Sequence, residues 1–407
     1  MEAGGALFPL CDNKLGWEER GRAAELLLSG RQLSMGPETA LLEAEFAAYM
    51  SCTQALFVNS GSSANQLAVV AACHPLRRVR LSRGDRVLVP ALCWSTTVSP
   101  LVLQGLVPVF VDVSPSTLQM DLGHAAGLLE GDDRIRGLML VHVMGGCPDM
   151  EQVMGLVHKH GLVFIEDACE AMGNTFHGKR LGTFGDFGTF STFYSHHMTS
   201  VEGGFLVVRD PEDATRCVML REHGWVRRLP RDQQATHADR HPTLDRRYLF
   251  ADMGYNFRPT DITAVVGRVQ LPKLDGFNAC RRSNFERMQC RLAGAVAGIE
   301  LPGVVPGAEV AFLALVLTVT DPRVLIDTFK QALEDQGVET RPVISGNFVR
   351  QPCLATWGVP HQAPETLPGA ELVHHRSVYV GLHGQHWSSA KCDALCAAIQ
   401  HAMDTAR

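Results

Sequence analysis

The chain has 407 residues, of which 46% are apolar and 20% charged, which indicates a globular protein of two or three domains, or of one large domain with a smaller partner. Its formal charge of −6, from 37 basic and 43 acidic residues, gives no sign of a surface for nucleic acid or anionic membrane. Twelve cysteines without a CxxC pair, and an N-terminus without the pattern of a signal peptide, favour a reducing, cytoplasmic setting over a disulfide scaffold.

Apolar runs alternate with helical patterns through the first half of the chain. The spacing of apolar residues predicts helices over 37–50 and 149–161. The apolar runs predict strands at 55–58, 86–92, 107–113, 137–145, 162–169, 187–194 and 204–210. Because these strands are continuously apolar and separated by helices, they indicate a mostly parallel sheet covered on both faces.

The pattern changes in the second half. Residues 227–247 are polar and rich in charge, which predicts an exposed loop or excursion. A helix is predicted from about 260 to 292, with a break near Pro272, and a loop follows over 302–310.

After this loop, the sequence pattern predicts a strand, a helix and a strand, which indicate a smaller α/β domain. The first of these strands contains the longest apolar run, 310–319, which is too short to cross a membrane. We therefore expect a large domain over 1–270, with an N-terminal arm over about 1–34, and a small C-terminal domain over 271–407.

A short Gly/Ser segment, SGSSAN (60–65), lies between the first predicted strand and a helix. It suits a phosphate cradle, since small residues let backbone N–H groups approach an anion at a helix N-terminus, but it also suits an ordinary serine N-cap. The segment lacks GxxxxGK and GxGxxG, which disfavours a P-loop or a Rossmann dinucleotide site.

Two other motifs end predicted strands. In IEDACEA (165–171), Asp167 stands at the carboxyl end of an apolar strand, where ligands bind in open α/β sheets. A carboxylate there would keep a pyridine nitrogen protonated, as pyridoxal 5′-phosphate (PLP) enzymes require. In CWSTT (93–97), Trp94 would either stack on a flat cofactor ring or pack in the core.

Adjacent histidines mark the segment FSTFYSHHMTSVEGG (190–204). A functional and a structural role are open for His196 and His197, but neighbouring histidines rarely bind one metal ion, and the sequence has no HxH or HExxH, so no metal site is expected. Further on, Asn256 and Arg258 in MGYNFRPTD would reach a ligand or form a polar helix start.

In this order the motifs resemble the sugar-nucleotide aminotransferase/dehydratase family of fold-type I PLP enzymes. The resemblance implies an aspartate aminotransferase-like α/β fold with a mostly parallel central sheet and a smaller C-terminal α/β domain. Aminotransferases of this family carry their PLP-binding lysine in the turn before Glu-Gly-Gly, and counting back from Glu202 that position is His196. None of the six lysines of the chain fits the position: Lys14, Lys159, Lys179, Lys273, Lys330 and Lys391.

A histidine at this position resembles the sugar 3-dehydratases of the family, together with WSTT, GTFSTFYSHHM and RPVISGNF (341–348). The resemblance implies a lyase that removes the C3 hydroxyl of a nucleotide-linked 4-keto-6-deoxyhexose, with GDP-4-keto-6-deoxy-D-mannose as the expected substrate. L-glutamate would restore pyridoxamine 5′-phosphate (PMP) from PLP. A related CDP-sugar branch holds a [2Fe-2S] cluster on cysteines before the GYN motif, but no cysteine lies between Cys217 and Cys280 here, so we expect no iron–sulfur cluster.

The resemblance also assigns roles to single residues. It implies that His196 moves the C4′ proton, and that Asn256 reaches the cofactor phosphate of the other subunit in a homodimer with shared active sites. The expected cofactor contacts are Gly61, Ser62 and Ser191 to the phosphate, Trp94 to the ring face, Asp167 to the pyridine nitrogen and Glu170 near the ring hydroxyl. The expected substrate contacts are Arg341 and Asn347.

Two alternatives stay open from the sequence. One is a sugar-nucleotide aminotransferase that works without a lysine, and the other is a non-catalytic pseudoenzyme that binds PLP or a sugar nucleotide. The pseudoenzyme is disfavoured because Trp94, Asp167, Ser191 and Asn256 are all retained.

Overall fold

The computed structural model describes residues 7–12 and 15–407 of the chain. Expectations for residues 1–6 and 13–14, which include the start of the arm and Lys14, lie outside the described residues. In chain order the described strands are β1 (Ala55–Val58), β2 (Arg86–Pro90), β3 (Val107–Val111), β4 (Ile135–Val141), β5 (Val163–Asp167), β6 (Thr175–Phe176), β7 (Lys179–Arg180), β8 (Phe187–Ser191), β9 (Gly204–Val208), β10 (Ile299–Glu300), β11 (Ala308–Glu309), β12 (Ala314–Val319), β13 (Thr340–Pro342) and β14 (Ser377–Gly381).

The helices surround and connect these strands. They are α1 (Trp17–Leu28), α2 (Pro37–Met50), α3 (Gly61–Ala72), α4 (Ser95–Leu103), α5 (Leu122–Gly131), α6 (Met150–His160), α7 (Pro211–Arg221), α8 (Arg231–Arg240), α9 (Asp261–Gln270), α10 (Leu274–Ala295), α11 (Ile326–Asp335), α12 (Pro352–Thr356), α13 (Pro368–Arg376) and α14 (Ser389–Ala406). Short 3₁₀ turns include Val143–Gly145 and Leu271–Lys273. The second of these turns contains Pro272 and separates α9 from α10, which confirms the predicted break.

The central sheet has the strand order β1-β9-β8-β5-β4-β2-β3. Strands β3, β2, β4, β5 and β8 are parallel to one another, and β9 and β1 complete the sheet as antiparallel strands. In β5, Val163 and Ile165 pack in one apolar cluster and Phe164 in another, so helices cover both faces. This burial on two sides explains the continuous apolar runs, and it confirms the predicted α/β fold with a mostly parallel sheet.

A second sheet, with the order β10-β12-β14-β13, is antiparallel throughout. Strand β12 is buried along its length, as the apolar run predicted. A third, smaller sheet joins β11 to the hairpin of β6 and β7. It ties residues 308–309 to residues 175–180, across the expected boundary at 270/271, which stays a prediction.

Residues 227–247 are mostly exposed, as predicted, and helix α8 lies within this excursion. Ala238 of this helix is buried in an apolar cluster with Val226, Leu229 and Leu249. Helix α8 contributes only one buried residue to this cluster. The sequence of the helix therefore shows little of the apolar spacing that predicts a helix.

Among the described helices, none combines the length and the apolarity that crossing a bilayer takes. The cysteines of the described part of the chain are free thiols.

Candidate active site

A cavity of about 420 Å³ opens where the central parallel strands end. It is bordered by the ends of β5 and β8, the first turns of α3 and α4, and the loop between β8 and β9. Seven of the ten predicted site residues line it: Gly61, Ser62, Trp94, Asp167, Glu170, Ser191 and His196.

A larger and more open cleft, of about 800 Å³, lies elsewhere and is lined by Tyr49, Lys179, Arg180 and others. None of the predicted site residues contributes to it. We place the candidate active site in the smaller cavity because it lies at the carboxyl ends of parallel strands, where α/β folds bind ligands.

The first turn of α3 forms a cradle on one side of the cavity. Ser60 caps the helix by accepting a hydrogen bond from the Ser63 N–H at 3.0 Å. A Cβ on Gly61 would lie 2.7 Å from Cβ of Ser191, so only glycine lets the turn approach β8 this closely. The backbone N–H groups of a helix start and the hydroxyls of Ser62 and Ser191 therefore lie together, which suits a phosphate group.

Asp167 stands at the end of β5 with its carboxylate held from three sides. Oδ2 accepts hydrogen bonds from Nδ2 of Asn65 at 2.8 Å and from the Thr97 hydroxyl at 2.7 Å, and Oδ1 accepts one from the Cys169 N–H at 3.3 Å. Asn65 is itself fixed, since its Oδ1 accepts a hydrogen bond from the Thr189 hydroxyl at 2.6 Å. The carboxylate is 4% exposed and lines the cavity, so it meets a ligand in one fixed orientation.

Glu170 lines the same cavity three residues after Asp167. Its Oε2 accepts a hydrogen bond from the Met144 N–H at 2.7 Å. Burial raises the pKa of the Glu170 carboxyl to about 7; the Met144 N–H opposes this shift, and the charge of Asp167 adds to it.

His196 lies in the loop between β8 and β9, with its backbone N–H bonded to the Phe193 carbonyl at 3.1 Å. Burial lowers the pKa of its imidazole to about 4; Asp167 and a backbone hydrogen bond at Cys169 oppose the shift, and Arg281 adds to it. The ring is therefore neutral at pH 7 and able to accept a proton.

The neighbouring His197 has a different place. It is fully buried, and its Nε2 lies 2.9 Å from the carbonyl oxygen of Ala311. Its side chain does not line the cavity. It connects the loop between β8 and β9 to the backbone at Ala311.

No lysine lines the cavity in the part of the chain that the structure describes. Lys179, the lysine nearest to His196 in the sequence, places Nζ 4.3 Å from the centre of the Phe184 ring and lines the larger cleft. A lysine elsewhere among the described residues therefore does not take the position that His196 occupies.

Trp94 precedes α4 and lines the cavity with 58% of its surface exposed. Packing in the core was the other role open for this residue, and such exposure does not fit it. An indole face at the cavity wall suits contact with a flat ring.

Asn256 does not line the cavity of its own chain. Its Oδ1 accepts a hydrogen bond from Nε of Arg258 at 2.9 Å. The next residue, Phe257, accepts a backbone hydrogen bond from Asn59 at 3.1 Å, so this segment runs beside the turn that leads into α3. The role of Asn256 toward a second subunit stays a prediction.

The two expected substrate contacts also lie outside the cavity lining. Arg341 is exposed on β13 and pairs in register with Tyr379 of β14, which does line the cavity, so it stands at the rim. Asn347 is fully buried: its Nδ2 donates to Glu371 at 2.8 Å and its Oδ1 accepts from the Val349 N–H. In this structure Asn347 fixes a turn and does not line the cavity, and its role toward a substrate stays a prediction.

Sequence reasoning missed several residues of the cavity. Asn65 and Thr97, which orient Asp167, close the SGSSAN and WSTT motifs, so their place in those motifs was the available signal. Met144 and Tyr379 come from segments in which no motif was recognised.

Comparison with known proteins agrees with this geometry. The sequence profile of the DegT/DnrJ/EryC1/StrS aminotransferase family matches residues 14–400. GDP-4-keto-6-deoxy-D-mannose 3-dehydratase of Yersinia pseudotuberculosis is 30% identical over 377 residues, which cover 92% of this chain and 94% of the relative.

Enzymes with other named activities have similar sequence identity to this chain. The dTDP-4-dehydro-2,6-dideoxy-D-glucose 3-dehydratase of Saccharopolyspora spinosa is 32% identical over 362 residues, covering 86% of this chain and 77% of the relative. GDP-perosamine synthase of Caulobacter vibrioides is 30% identical over 345 residues, covering 83% and 85%.

Solved structures share the fold along almost the whole chain. A histidine-to-asparagine variant of GDP-4-keto-6-deoxymannose-3-dehydratase with bound GDP-perosamine matches with a TM-score of 0.89 and 28% identity, covering 96% of this chain and 100% of the other. The sugar aminotransferase CalS13 of Micromonospora echinospora matches with a TM-score of 0.83 and 26% identity, covering 97% and 99%. The fold is thus common to dehydratases and aminotransferases.

Proposed function

Because this chain belongs to the DegT/DnrJ/EryC1/StrS aminotransferase family, we propose that it is a PLP- and PMP-dependent sugar-nucleotide 3-dehydratase. It removes the C3 hydroxyl of a nucleotide-linked 4-keto-6-deoxyhexose and releases a 3,6-dideoxy-4-ketosugar and ammonia. L-glutamate then restores PMP from PLP.

The observation that carries the proposal is His196 in the cavity. The resemblance assigns it the position at which family aminotransferases have their lysine, and no lysine lines the cavity in the described residues. Imidazole forms no stable imine with an aldehyde, so the cofactor would be held without a covalent bond to the protein. The amine can then stay on the cofactor for condensation with the C4 ketone.

The residues present fit the cofactor. The cradle at Gly61, which a Cβ would fill, together with the hydroxyls of Ser62 and Ser191, would hold its phosphate. Asp167 would pair with the pyridine nitrogen, and Trp94 would cover the ring. When bound, the cofactor supplies an electron sink for the carbon atom next to the reacting amine.

His196 would do the proton transfers. Because its imidazole is neutral at pH 7, it can take the proton from C4′ and then give it to the hydroxyl that leaves C3. Asp167, held in place by Asn65 and Thr97, would pair with the ring nitrogen and support the electron sink that the cofactor supplies.

The expected nucleotide is GDP, and support for it is the likeness to GDP-4-keto-6-deoxy-D-mannose 3-dehydratase. The dTDP-sugar dehydratase has similar identity, so the experiment compares several nucleotides. The test is incubation of the protein with PLP, L-glutamate and a panel of GDP-, dTDP- and CDP-linked 4-keto-6-deoxyhexoses. A 3-deoxy-4-ketosugar and ammonia are expected from one of them.

Borohydride gives a second, independent test. It should leave no PLP covalently attached to the wild-type protein, whereas His196→Lys should gain an imine absorbance and lose dehydration. A stable borohydride adduct on a lysine of the wild type would contradict the proposal.

The second candidate is a sugar-nucleotide aminotransferase, which is favoured by the likeness to GDP-perosamine synthase. An amino sugar as product, without ammonia, would establish it. A non-catalytic role is the third alternative, and glutamate-dependent conversion of PLP to PMP, followed by absorbance, would exclude it.

A further inference from the structure

The wall of the cavity is apolar on the side of the second sheet. Leu10, Leu313 and Ala314 line the cavity there, and their side chains carry no polar atom. The groups expected to meet the cofactor, such as Asp167 and Ser191, belong to strands of the central sheet instead. The cavity therefore has a polar side that suits the cofactor and an apolar side to which the proposed function assigns no ligand group.

An N-terminal segment, residues 8–12, brings Leu10 to this wall. The Phe8 carbonyl accepts a hydrogen bond from the Glu339 N–H at 3.1 Å, and the Leu10 N–H donates to Oε2 of Glu339 at 2.8 Å. The ring of Phe8 also packs edge-on against Trp387, with ring centres 6.3 Å apart. These contacts fasten the segment to the C-terminal part of the chain and fix the position of Leu10.

A glycine brings Leu10 and Ala314 together. Gly381 of β14 pairs in register with Ala314 of β12. A Cβ on Gly381 would lie 2.9 Å from the carbonyl oxygen of Leu10, so a larger residue would push the segment away from the strand. Leu313 continues the surface, because it precedes Ala314 and its N–H donates to the Met144 carbonyl at 2.9 Å. Leu10, Leu313 and Ala314 thus form one surface, which we call the apolar corner.

The proposed substrate offers one group that matches the apolar corner. A 4-keto-6-deoxyhexose carries oxygen atoms around its ring, and its single apolar substituent is the methyl group at C6. Burying this methyl group against apolar side chains removes apolar surface from water on both partners. A hexose with a hydroxyl group at C6 would lose hydrogen bonds with water there, because the three side chains of the corner replace none of them.

We propose that the apolar corner binds the C6 methyl group of the sugar, and that Leu10 is a specificity-determining residue for 6-deoxy sugars. The inference rests on the substrate class of the proposed function. It goes beyond that function because it gives the N-terminal segment a part in the choice of substrate. The preference for a 6-deoxy sugar is then a property of binding and does not depend on which bond the enzyme breaks afterwards.

The first test compares two ligands that differ only at C6 and cannot react, because they have a hydroxyl group in place of the C4 ketone. GDP-D-rhamnose has a methyl group where GDP-D-mannose has a hydroxymethyl group. If the panel of substrates selects dTDP or CDP, 6-deoxy-D-glucose and D-glucose linked to that nucleotide replace them. In calorimetry with the PMP-loaded wild type, the 6-deoxy ligand should bind about 10- to 100-fold more tightly. Equal affinities would overturn the inference.

The second test changes the corner. Leu10→Asn places an amide there, which should weaken binding of the 6-deoxy ligand, strengthen binding of the hexose and so remove the preference. Leu10→Ala keeps the wall apolar but removes contact area, so it should weaken the 6-deoxy ligand alone, by about threefold to tenfold. Leu7→Asn is the matched control, because Leu7 is 65% exposed and does not line the cavity. It should keep the wild-type preference, and the same preference in both Leu10 variants would contradict the inference.

Affinity for PMP separates the apolar corner from the cofactor site. Absorbance titration should give equal PMP affinities for the wild type and Leu10→Asn. A loss of PMP affinity as large as the loss of affinity for the 6-deoxy ligand would mean that the corner contacts the cofactor, and the inference would be wrong.

The binding tests also separate this inference from the proposed function. If the protein makes an amino sugar and its preference at C6 depends on Leu10, the dehydratase proposal fails and the role of Leu10 stands. If the protein dehydrates its substrate and the Leu10 variants keep the wild-type preference, the opposite follows.

Discussion

His196 differs from a surface histidine because its surroundings favour the uncharged ring. Burial is the main cause of its low pKa, and the nearby Arg281, itself 3% exposed, adds to it. In the proposed reaction, such a ring would accept the first proton at pH 7 without a change of solution conditions.

The same shift predicts how the stability of the protein depends on acid. Between pH 6.5 and about 4 the unfolded chain binds a proton on His196 that the folded chain does not, so stability is lost as pH falls through this window. At pH 5, relative to pH 7, His196→Asn should therefore lose about 1–2 kcal/mol less than the wild type does. Urea unfolding of the apoprotein at both pH values measures the difference.

The control for this experiment is His158→Asn, since His158 is exposed on α6. It should follow the wild type at both pH values. If His196→Asn also follows the wild type, the imidazole of His196 is not the buried neutral group described above.

Motifs predicted most of the site at the level of single residues, because SGSSAN, EDACEA and SHH each end or begin an element that reaches the cavity. They could not predict the partners of Asp167, since Asn65 and Thr97 are separated from it by 102 and 70 residues. Nor could they predict the direction of a side chain. Asn347 belongs to a recognised motif, yet packing turns it away from the cavity.

At the scale of elements, the close approach of α3 to β8 determines the shape of the cradle. Gly61 makes that approach possible, because an added Cβ would meet both Ser191 at 2.7 Å and Cys169 at 3.0 Å. The helix start and the strand end therefore form one continuous wall of the cavity.

Gly61→Ala tests this contact. The extra methyl group should force the helix away from β8, destabilise the protein by about 1–3 kcal/mol and weaken PMP binding. Gly155→Ala is the matched control, because Gly155 lies in α6 with open space around its Cβ position. It should leave PMP binding unchanged and stabilise the protein by about 0.5–1 kcal/mol. Thermal unfolding and a PMP titration measure both effects, and equal PMP affinity in the two variants would contradict the role of the cradle.

The elements themselves were predictable where burial is periodic or continuous. The seven strands of the central sheet and the helix over 37–50 follow from apolar runs and spacing. Most of those strands end earlier than predicted: β5 stops at Asp167, where the chain turns to form the cavity wall. Helix α8 was missed because it buries a single residue, too little to mark a helix in a polar stretch.

At the scale of the whole molecule, the position of Asn256 matters most. It lies outside its own cavity, yet the backbone of Phe257 is bonded to Asn59 beside the cradle. The family resemblance, rather than a contact within this chain, assigns Asn256 to the corresponding site of a second copy.

We expect Asn256 to act on the partner's site in a homodimer, and complementation tests this. His196→Asn and Asn256→Asp should each be inactive alone. Co-expressed, they form heterodimers in which one site carries both substitutions and the other carries none, so random pairing should restore about a quarter of wild-type activity.

The control pairs His196→Asn with Asp167→Asn. Both substitutions belong to the site of their own subunit, so each heterodimer has two defective sites and activity should stay absent. If co-expression of the first pair also restores nothing, Asn256 serves its own subunit.

Contacts of residues 308–311 with the N-terminal part of the chain cross the expected domain boundary at 270/271. The backbone of Ala311 is bound by Asn174, which accepts from its N–H at 2.9 Å, and its carbonyl is contacted by His197. The preceding strand β11 completes a sheet with β6 and β7. A chain cut between residues 270 and 271 would therefore expose a hairpin edge on the first fragment and leave His197 without its contact. The loop between β8 and β9, which carries His196 and His197, is thus completed by the C-terminal part of the chain, and the two parts are expected to work only as a continuous polypeptide.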